Sequence, residues 1–336
     1  MGAVAVAVRE RRVRARVDAV LIALGALVVL AAVLRFTTLS DQSYWLDESV
    51  TALRSNGSFY HMLAAFHRPG GEAQPPLYFV LAWFWARVFG TDEFGLRSLS
   101  AVCGVLTVPV AFEVGRTLVN RRVGLVVAAL VTVSPAMIWY SQEARAYALF
   151  LLLSAVAFLF FVRLLESPRP VNYVGWSAAS SLALVTHYFA LFPLVGEVAW
   201  LLLRRRSRET VLAVGGICLA GLLIFPIALY QKQHGTTGWI TWLSFGHRLD
   251  DIGPVFVTGV VRPTHDLSPV LLILFACAVA LVMASGRSRV RRAASIGLAV
   301  SAVTIGLPLL GTAVGQDYFF YRYLLPAWIP VAVAVA

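Results

Sequence analysis

Charge is scarce in this 336-residue chain: Asp, Glu, Lys and Arg make up 13% of it, against 59% hydrophobic residues and a mean hydropathy of +0.78. A soluble globular domain carries about twice that charged fraction, so a water-facing fold is excluded. Acidic residues are scarcer still, 17 against 28 basic ones, which leaves a net charge of +11. The three cysteines, Cys103, Cys218 and Cys277, all fall inside apolar runs. They read as small hydrophobic side chains, and neither a disulfide frame nor a metal cluster follows from them. No internal repeat, low-complexity tract or separate soluble domain interrupts the chain. A GxxxxGK[ST] loop and a dinucleotide fingerprint are missing too, which removes the common phosphate-cradling designs.

What remains is apolar length. Several runs reach the roughly 20 residues that a helix needs to cross a hydrocarbon core of about 30 Å, and a backbone in lipid must satisfy its own hydrogen bonds. The chain is therefore expected to be all-α, a polytopic transmembrane helical bundle forming one domain over residues 1–336. Its arginines gather in short segments: Arg9 to Arg16 ahead of the first run, then 116–122, 163–169, 204–208 and 287–292. That pattern obeys the positive-inside rule, so these segments are assigned to the cytoplasm and nucleic acid is not expected as a partner. The first run is longer than a signal-peptide core and lacks a small-residue cleavage site, so it reads as a retained span with a cytoplasmic amino terminus.

Helices fitted between the basic anchors give about ten spans, at 17–36, 98–117, 122–140, 146–163, 172–187, 189–203, 211–230, 268–285, 293–312 and 322–336. The run 75–89 is left over, because a crossing there would put the 116–122 arginines outside. It is expected to lie in the outer interface with Trp83 and Trp85 at headgroup level; an ordinary crossing is the alternative. The chain stops at Ala336 within an apolar helix and without a basic stop, so a further segment is expected beyond it.

This layout gathers the unusual polar clusters on the outer side, in loops 37–97 and 231–266 and in shorter ones near 140–145, 186–188 and 316–322. Charged groups kept near membrane depth are costly and usually functional. In the first loop, Val50, Leu53, Phe59, Met62, Leu63 and Phe66 recur at helical spacing, which suggests amphipathic juxtamembrane helices broken near Asn56-Gly57. Each cluster also has a plain structural reading: a proline turn at Pro75-Pro76, a helix-capping ion pair at Glu143 and Arg145, a turn histidine at His187, and a snorkelling Arg322.

Taken in order, Tyr44-Trp45-Leu46-Asp47-Glu48, Gln74-Pro75-Pro76-Leu77-Tyr78, Arg97-Ser98-Leu99-Ser100-Ala101, Tyr140-Ser141-Gln142-Glu143-Ala144-Arg145, Thr186-His187-Tyr188 and Arg322-Tyr323-Leu324-Leu325-Pro326 resemble the GT-C membrane glycosyltransferases. The chain is most similar to the bacterial branch related to protein O-mannosyltransferases and aminoarabinose transferases. Each motif is short; their order along nearly the whole chain carries the likeness. The resemblance implies a polyprenyl-phosphate sugar as donor, a catalytic carboxylate in the first outer loop and a common module in the first seven spans. It makes Asp47 the base, with Glu48 as a second catalytic residue that orients the acceptor or else caps the following helix. Arg145 and Arg322 are expected on the donor phosphate, with Arg54 and Arg97 as weaker candidates. Glu143, Gln74, His187, Tyr188 and Tyr323 complete the expected substrate-binding set, Gln74 standing where many relatives carry His or Lys. Arg262 and His265 are further candidates to close over the donor.

A lipid-linked phosphate is already a good leaving group, so moving its sugar to a hydroxyl needs one base and cations for the departing phosphate. Glycoside hydrolysis would instead need two carboxyl groups across the bond. Guanidinium suits the phosphate because it grips two oxygens at once and stays charged. Direct displacement with one base predicts inversion at the anomeric carbon. No Asp-x-Asp of the nucleotide-sugar enzymes occurs, in keeping with a lipid donor. No cofactor is expected, and two carboxylates alone make a poor divalent-cation site. The acceptor is a hydroxyl on a lipid, glycan or protein, with membrane lipids around the enzyme. Two other classes stay open: a transporter or flippase of lipid-linked saccharides, which should keep polar groups in broken helices at mid-bilayer, and an inactive structural relative.

Overall fold

The computed structural model describes residues 2–69, 71–234, 240, 242–260 and 267–336, the side chains of 2–17 and 285 excepted. The described residues form helices and short connections, with no strand among them. Helix α1 (Gly2–Phe36) is followed by short helices α2 (Leu46–Asn56), α3 (Phe59–Ala64) and α4 (Leu77–Phe89). Then come α5 (Glu93–Leu118), α6 (Arg121–Val133), α7 (Pro135–Ser141), α8 (Tyr147–Glu166), α9 (Pro170–Thr186), α10 (Leu191–Arg204) and α11 (Arg208–Gln233). Helices α12 (Phe245–Thr258), α13 (Ser268–Ser285) and α14 (Ser288–Ala313) lead to a 3-10 segment, Tyr321–Ala327, and α15 (Trp328–Val335). Each of the ten expected spans coincides with helix. Among the described residues, five helices (α1 from Asp18, α5, α8, α11 and α14) are long and apolar enough to cross a membrane, and the bent pair α6–α7 makes a sixth.

The 60° bend between α6 and α7 has a local cause. Pro135 opens α7 at its first turn and cannot continue the hydrogen bonding of α6, while the Ser134 hydroxyl caps the new helix at the Met137 amide, 3.4 Å away. The break frees carbonyls of α6 in an apolar interior. Arg35 of α1, fully buried, takes them up by donating to Thr132 O at 3.2 Å and Val131 O at 3.0 Å, and its Nε reaches Ser141 Oγ at 3.3 Å. Gly104 of α5 is the clearance for this contact, since a Cβ there would lie 2.0 Å from Ser141 Oγ and 2.9 Å from Arg35 Nε.

The loops sort to two ends. At one end the basic segments touch each other: Arg289 Nε donates to Leu118 O at 2.9 Å, Arg205 to Leu165 O at 2.9 Å, and Arg292 pairs with Glu166 at 3.1 Å. At the other end lie the polar clusters of the first loop, the α7–α8 and α9–α10 connections, and the segment before α15. The first loop breaks as expected, α2 ending at Asn56 and α3 starting after Gly57. Pro76 stands at the start of α4. At 13 residues α4 is about 20 Å long, short of a hydrocarbon core, and it leaves Leu81, Phe84 and Val88 exposed along one stripe. Its tryptophans are hydrogen-bonded within the protein: Trp83 Nε1 donates to Gly57 O at 2.9 Å, and Trp85 Nε1 donates to Ser98 Oγ at 2.9 Å and Gly95 O at 3.1 Å. Their polar edges tie α4 to α5 and to the α2–α3 turn, because partly buried N–H groups need acceptors.

Gly104→Ala should destabilise the chain by about 1–3 kcal/mol, as overpacking does in close-packed interiors. A lowered thermal midpoint in detergent micelles, relative to the wild type, is the expected observation.

Candidate functional site

The amino-terminal turn of α2 sets the position of every other group here. Glu48, the third residue of α2, is 1% exposed, and both its oxygens are occupied. Oε1 accepts from Arg97 Nε at 2.8 Å and from the Ala144 amide at 2.7 Å; Oε2 accepts from an Arg97 terminal nitrogen at 2.6 Å and, at a long 3.4 Å, from the Trp45 amide. Arg97 in turn donates to Leu39 O and Gln42 O, both at 2.7 Å, and to Ser43 O at 3.2 Å. All five of its N–H groups are thus used. One ion pair therefore joins α2, α5, the strap after α1 and the α7–α8 connection.

Asp47 precedes Glu48 in α2, so its side chain points about 100° away. It is one-third exposed, with Oδ2 4.0 Å from an Arg322 terminal nitrogen. This pair stands where two cavities meet, since Asp47 and Arg322 line both. The first cavity, about 850 Å³, is walled by Asp41, Glu48, Glu143 and Arg97 together with Trp139, Trp242 and Tyr321. The second, about 520 Å³, carries Arg54, Arg145 and Lys232 against Glu72, with an apolar side of Phe189, Leu191, Phe192 and Ala228. One cavity is rich in carboxylates and aromatic rings; the other is rich in cations.

The expected residues that are described all line one or both cavities, though not always as the spacing suggested. Arg322 is enclosed by the rings of Tyr147, Phe320 and Tyr323, at 5.5, 5.3 and 5.6 Å from their centroids. Arg145 does not pair with Glu143. It makes two 3.3 Å bonds to Glu72, which also pairs with Arg54, and another terminal N–H lies 3.5 Å from Asp47 O. Arg145 Nε has no hydrogen-bond partner among the described residues. Glu72 escaped the sequence reading because it sits alone in a loop; its one signal was an acid following His67 and Arg68 close to Gln74. Arg97, a weaker candidate for the phosphate, is ruled out by the saturation just described. Arg262 and His265 lie outside the described residues.

Tyr188, Tyr323, Gln74 and His187 all line the second cavity. Tyr188 donates to Gln231 Oε1 at 2.8 Å, and Gln74 Nε2 reaches Tyr147 Oη at 3.5 Å. His187 caps the turn after α9, its Nδ1 accepting from the Phe189 amide at 3.3 Å and its ring stacked 4.7 Å from Phe150. Burial, reinforced by Arg322 and Arg145, lowers its pKa to about 3. The ring is therefore neutral with the proton on Nε2, a buried donor with no acceptor among the described residues.

Glu143 belongs to the first cavity. Its Oε1 accepts from Trp139 Nε1 at 2.7 Å, and Oε2 has no partner among the described residues. Burial pushes its pKa up to about 7, against the opposing effects of the Trp139 bond and Arg322. Among the described residues no cluster of three or more His, Cys, Asp or Glu could hold a metal ion. With Glu48 committed to Arg97 and Ala144, Asp47 and Glu48 do not offer a shared divalent site.

Over residues 73–230 the chain matches the family described as dolichyl-phosphate-mannose-protein mannosyltransferase, a segment that holds Gln74, Glu143, Arg145, His187 and Tyr188 but neither Asp47 nor Arg322. Among solved structures, the apo oligosaccharyltransferase of Archaeoglobus fulgidus superposes with a TM-score of 0.51 at 11% identity, over 94% of this chain and 50% of that one. ArnT of Cupriavidus metallidurans, bound to undecaprenyl phosphate, gives a TM-score of 0.49 at 14% identity, over 92% of this chain and 76% of that one. The chain thus spans about half the length of the oligosaccharyltransferase. No curated protein matches it significantly. The fold is the GT-C fold that the ordered motifs implied, and the chain is a multi-pass membrane protein.

Two outcomes follow from these environments. Glu48→Ala leaves a buried guanidinium without its carboxylate and should cost about 3–5 kcal/mol, and adding Arg97→Met should recover part of that loss in thermal unfolding. Glu143 holds its proton more tightly folded than unfolded. Its stabilising contribution is therefore full below about 4.5 and lost as pH rises through about 7. Glu143→Gln, neutral throughout, should gain thermal stability over the wild type as pH is raised across that window.

Proposed function

We propose that this GT-C chain transfers a sugar from a polyprenyl-phosphate donor to an acceptor hydroxyl, with Asp47 as the base. The observation that carries this reading is the 4.0 Å Asp47–Arg322 pair at the junction of a cation-rich and a carboxylate-rich cavity. A phosphate belongs on the cationic side. There Arg322, Arg145, Arg54 and Lys232 supply charge, and Phe189, Leu191 and Phe192 supply an apolar wall for the first isoprene units. The acceptor belongs in the other cavity, so its hydroxyl and the anomeric carbon meet at Asp47.

In the transfer step the acceptor oxygen attacks the anomeric carbon and Asp47 removes its proton. The bond from that carbon to the phosphate oxygen breaks, and the electron pair leaves with polyprenyl phosphate. The cations neutralise charge as it develops on the departing oxygen, where a preorganised positive group lowers the barrier most. Neutral His187 directs its Nε2 proton into the same cavity as a donor to phosphate or sugar oxygen. Glu48 positions Asp47 and takes no part in the proton transfer. A single displacement inverts the anomeric centre. The gathering of the arginine-rich loops at the opposite end supports a site on the outer face, with the amino terminus in the cytoplasm.

Asp47→Asn should lower the transfer rate by about 10²–10⁴-fold, the usual contribution of a positioned base, while undecaprenyl phosphate binding is kept. The assay uses purified protein with a panel of polyprenyl-phosphate sugars and envelope extracts, products being identified by mass spectrometry. Lipid translocation without covalent product would overturn the proposal. The anomeric coupling constant in the product, read by NMR, should report the configuration opposite to the donor's.

A further inference from the structure

The first cavity has chemical preferences that the transfer reaction alone does not require. Its acids are Asp41, Asp47, Glu48 and Glu143, and its cations are Arg97 and Arg322. Arg97 has all five N–H groups occupied by Glu48 and three backbone carbonyls, so it has no donor left for a ligand. Arg322 is shared with the donor side. The charges of Glu48 and Arg97 cancel, so an acceptor carrying phosphate or carboxylate near its reactive hydroxyl would meet Asp41, Asp47 and ionised Glu143 against Arg322 alone, in a partly buried space. Like charges at that range are strongly unfavourable. A neutral molecule meets no such barrier.

The remaining features favour hydroxyls. The Glu143 Oε2 atom is buried, lines the cavity and has no hydrogen-bond partner among the described residues, while Oε1 is held by Trp139. Ionised, a carboxylate so fixed accepts from O–H groups; protonated, as burial makes it at and below about pH 7, it holds one O–H of its own, and a sugar hydroxyl can partner either form. The bond that fixes Glu143 also fixes the Trp139 ring, and Trp242 and Tyr321 add two more aromatic walls, Trp242 being 85% exposed. Flat apolar faces beside a buried hydroxyl acceptor suit a pyranose, which presents C–H groups on one face and hydroxyls at its edge. A peptide backbone presents, beside its N–H donors, carbonyls that only the protonated form of Glu143 can meet. At about 850 Å³ the cavity is near the upper end of the range for clefts that hold drug-sized ligands, room enough for a short oligosaccharide.

We infer that this cavity takes the neutral, hydroxyl-rich end of a saccharide acceptor, and that Glu143 selects it by accepting a hydrogen bond from a hydroxyl beside the one that reacts. The inference rests on the donor and acceptor assignment above and adds the chemical class of the acceptor. Glu143 acts on acceptor binding and leaves the donor side untouched.

Equilibrium dialysis on the purified full chain separates these statements. The probes are three neutral trisaccharides of different linkage, the 6-phosphorylated form of each, a capped serine-containing octapeptide and undecaprenyl phosphate. At least one neutral trisaccharide should bind at least tenfold more tightly than its phosphorylated form and the peptide. At about pH 8, above the raised pKa of Glu143, Glu143→Gln should weaken that binding about tenfold, roughly what one hydrogen bond to a charged group contributes. Undecaprenyl phosphate binding should be unchanged in the variant, which also reports that it is folded. Equal or tighter binding of the phosphorylated sugar or the peptide would overturn the inference. So would no trisaccharide binding at all, or a Glu143→Gln variant that binds saccharide as the wild type does. Loss of undecaprenyl phosphate binding by the wild type would instead strike at the donor assignment.

Discussion

The buried pair of Glu48 and Arg97 is the constraint on which the site depends. Two ions removed from water need partners for every donor and lone pair, and here both are satisfied by groups from four separate segments. The clamp fixes the first turn of α2 against α5 and against the backbone amide of Ala144. Because Asp47 is the neighbouring residue, fixing one carboxylate aims the other. Adjacent acids in the sequence thus stand in unlike places, Glu48 as a buried strut and Asp47 at the junction of the two cavities, where the proposed reaction needs its base.

A second arrangement grows from the first. The Ala144 amide that Glu48 holds lies between Glu143 and Arg145, and these two residues go to opposite sides, Glu143 to the carboxylate-rich cavity and Arg145 to the cationic one. The α7–α8 connection is therefore a hinge point for the electrostatics of both cavities. Its geometry is set from beneath by the bend at Pro135, whose exposed carbonyls Arg35 takes up, and by the missing side chain at Gly104. The arginines differ here in what they touch: Arg35 and Arg97 spend their N–H groups on carbonyls, a hydroxyl and Glu48, whereas Arg145 Nε has no partner among the described residues and Arg322 lines both cavities.

Much of this was legible beforehand because membrane proteins obey few rules strictly. Apolar run length and arginine position located the helices and sorted the loops to two ends, and the loops so sorted do bring Asp47, Arg145, His187 and Arg322 together. Break signals worked at Asn56-Gly57 and Pro75-Pro76, where the chemistry is local. Pairings did not follow from spacing. For Glu143 and Arg145, two apart, the plain structural alternative was an ion pair, yet the backbone turn between them separates their side chains and Arg145 finds Glu72, 73 residues away in sequence. Trp83 and Trp85 give their N–H groups to protein carbonyls and a serine hydroxyl, partners that spacing did not name. In each case the deciding partner came from a distant segment, which no local pattern encodes.

Under the proposed transfer, Glu72, set between Arg54 and Arg145, would bear on turnover. A phosphodiester donor carries one negative charge, whereas the monoester left behind carries nearly two at neutral pH. A wholly cationic chamber would grip that spent carrier harder than the fresh one and would stall each cycle at egress. One acid among the guanidiniums blunts the attraction, so the same chamber that helps the bond to break can also let the exhausted lipid go.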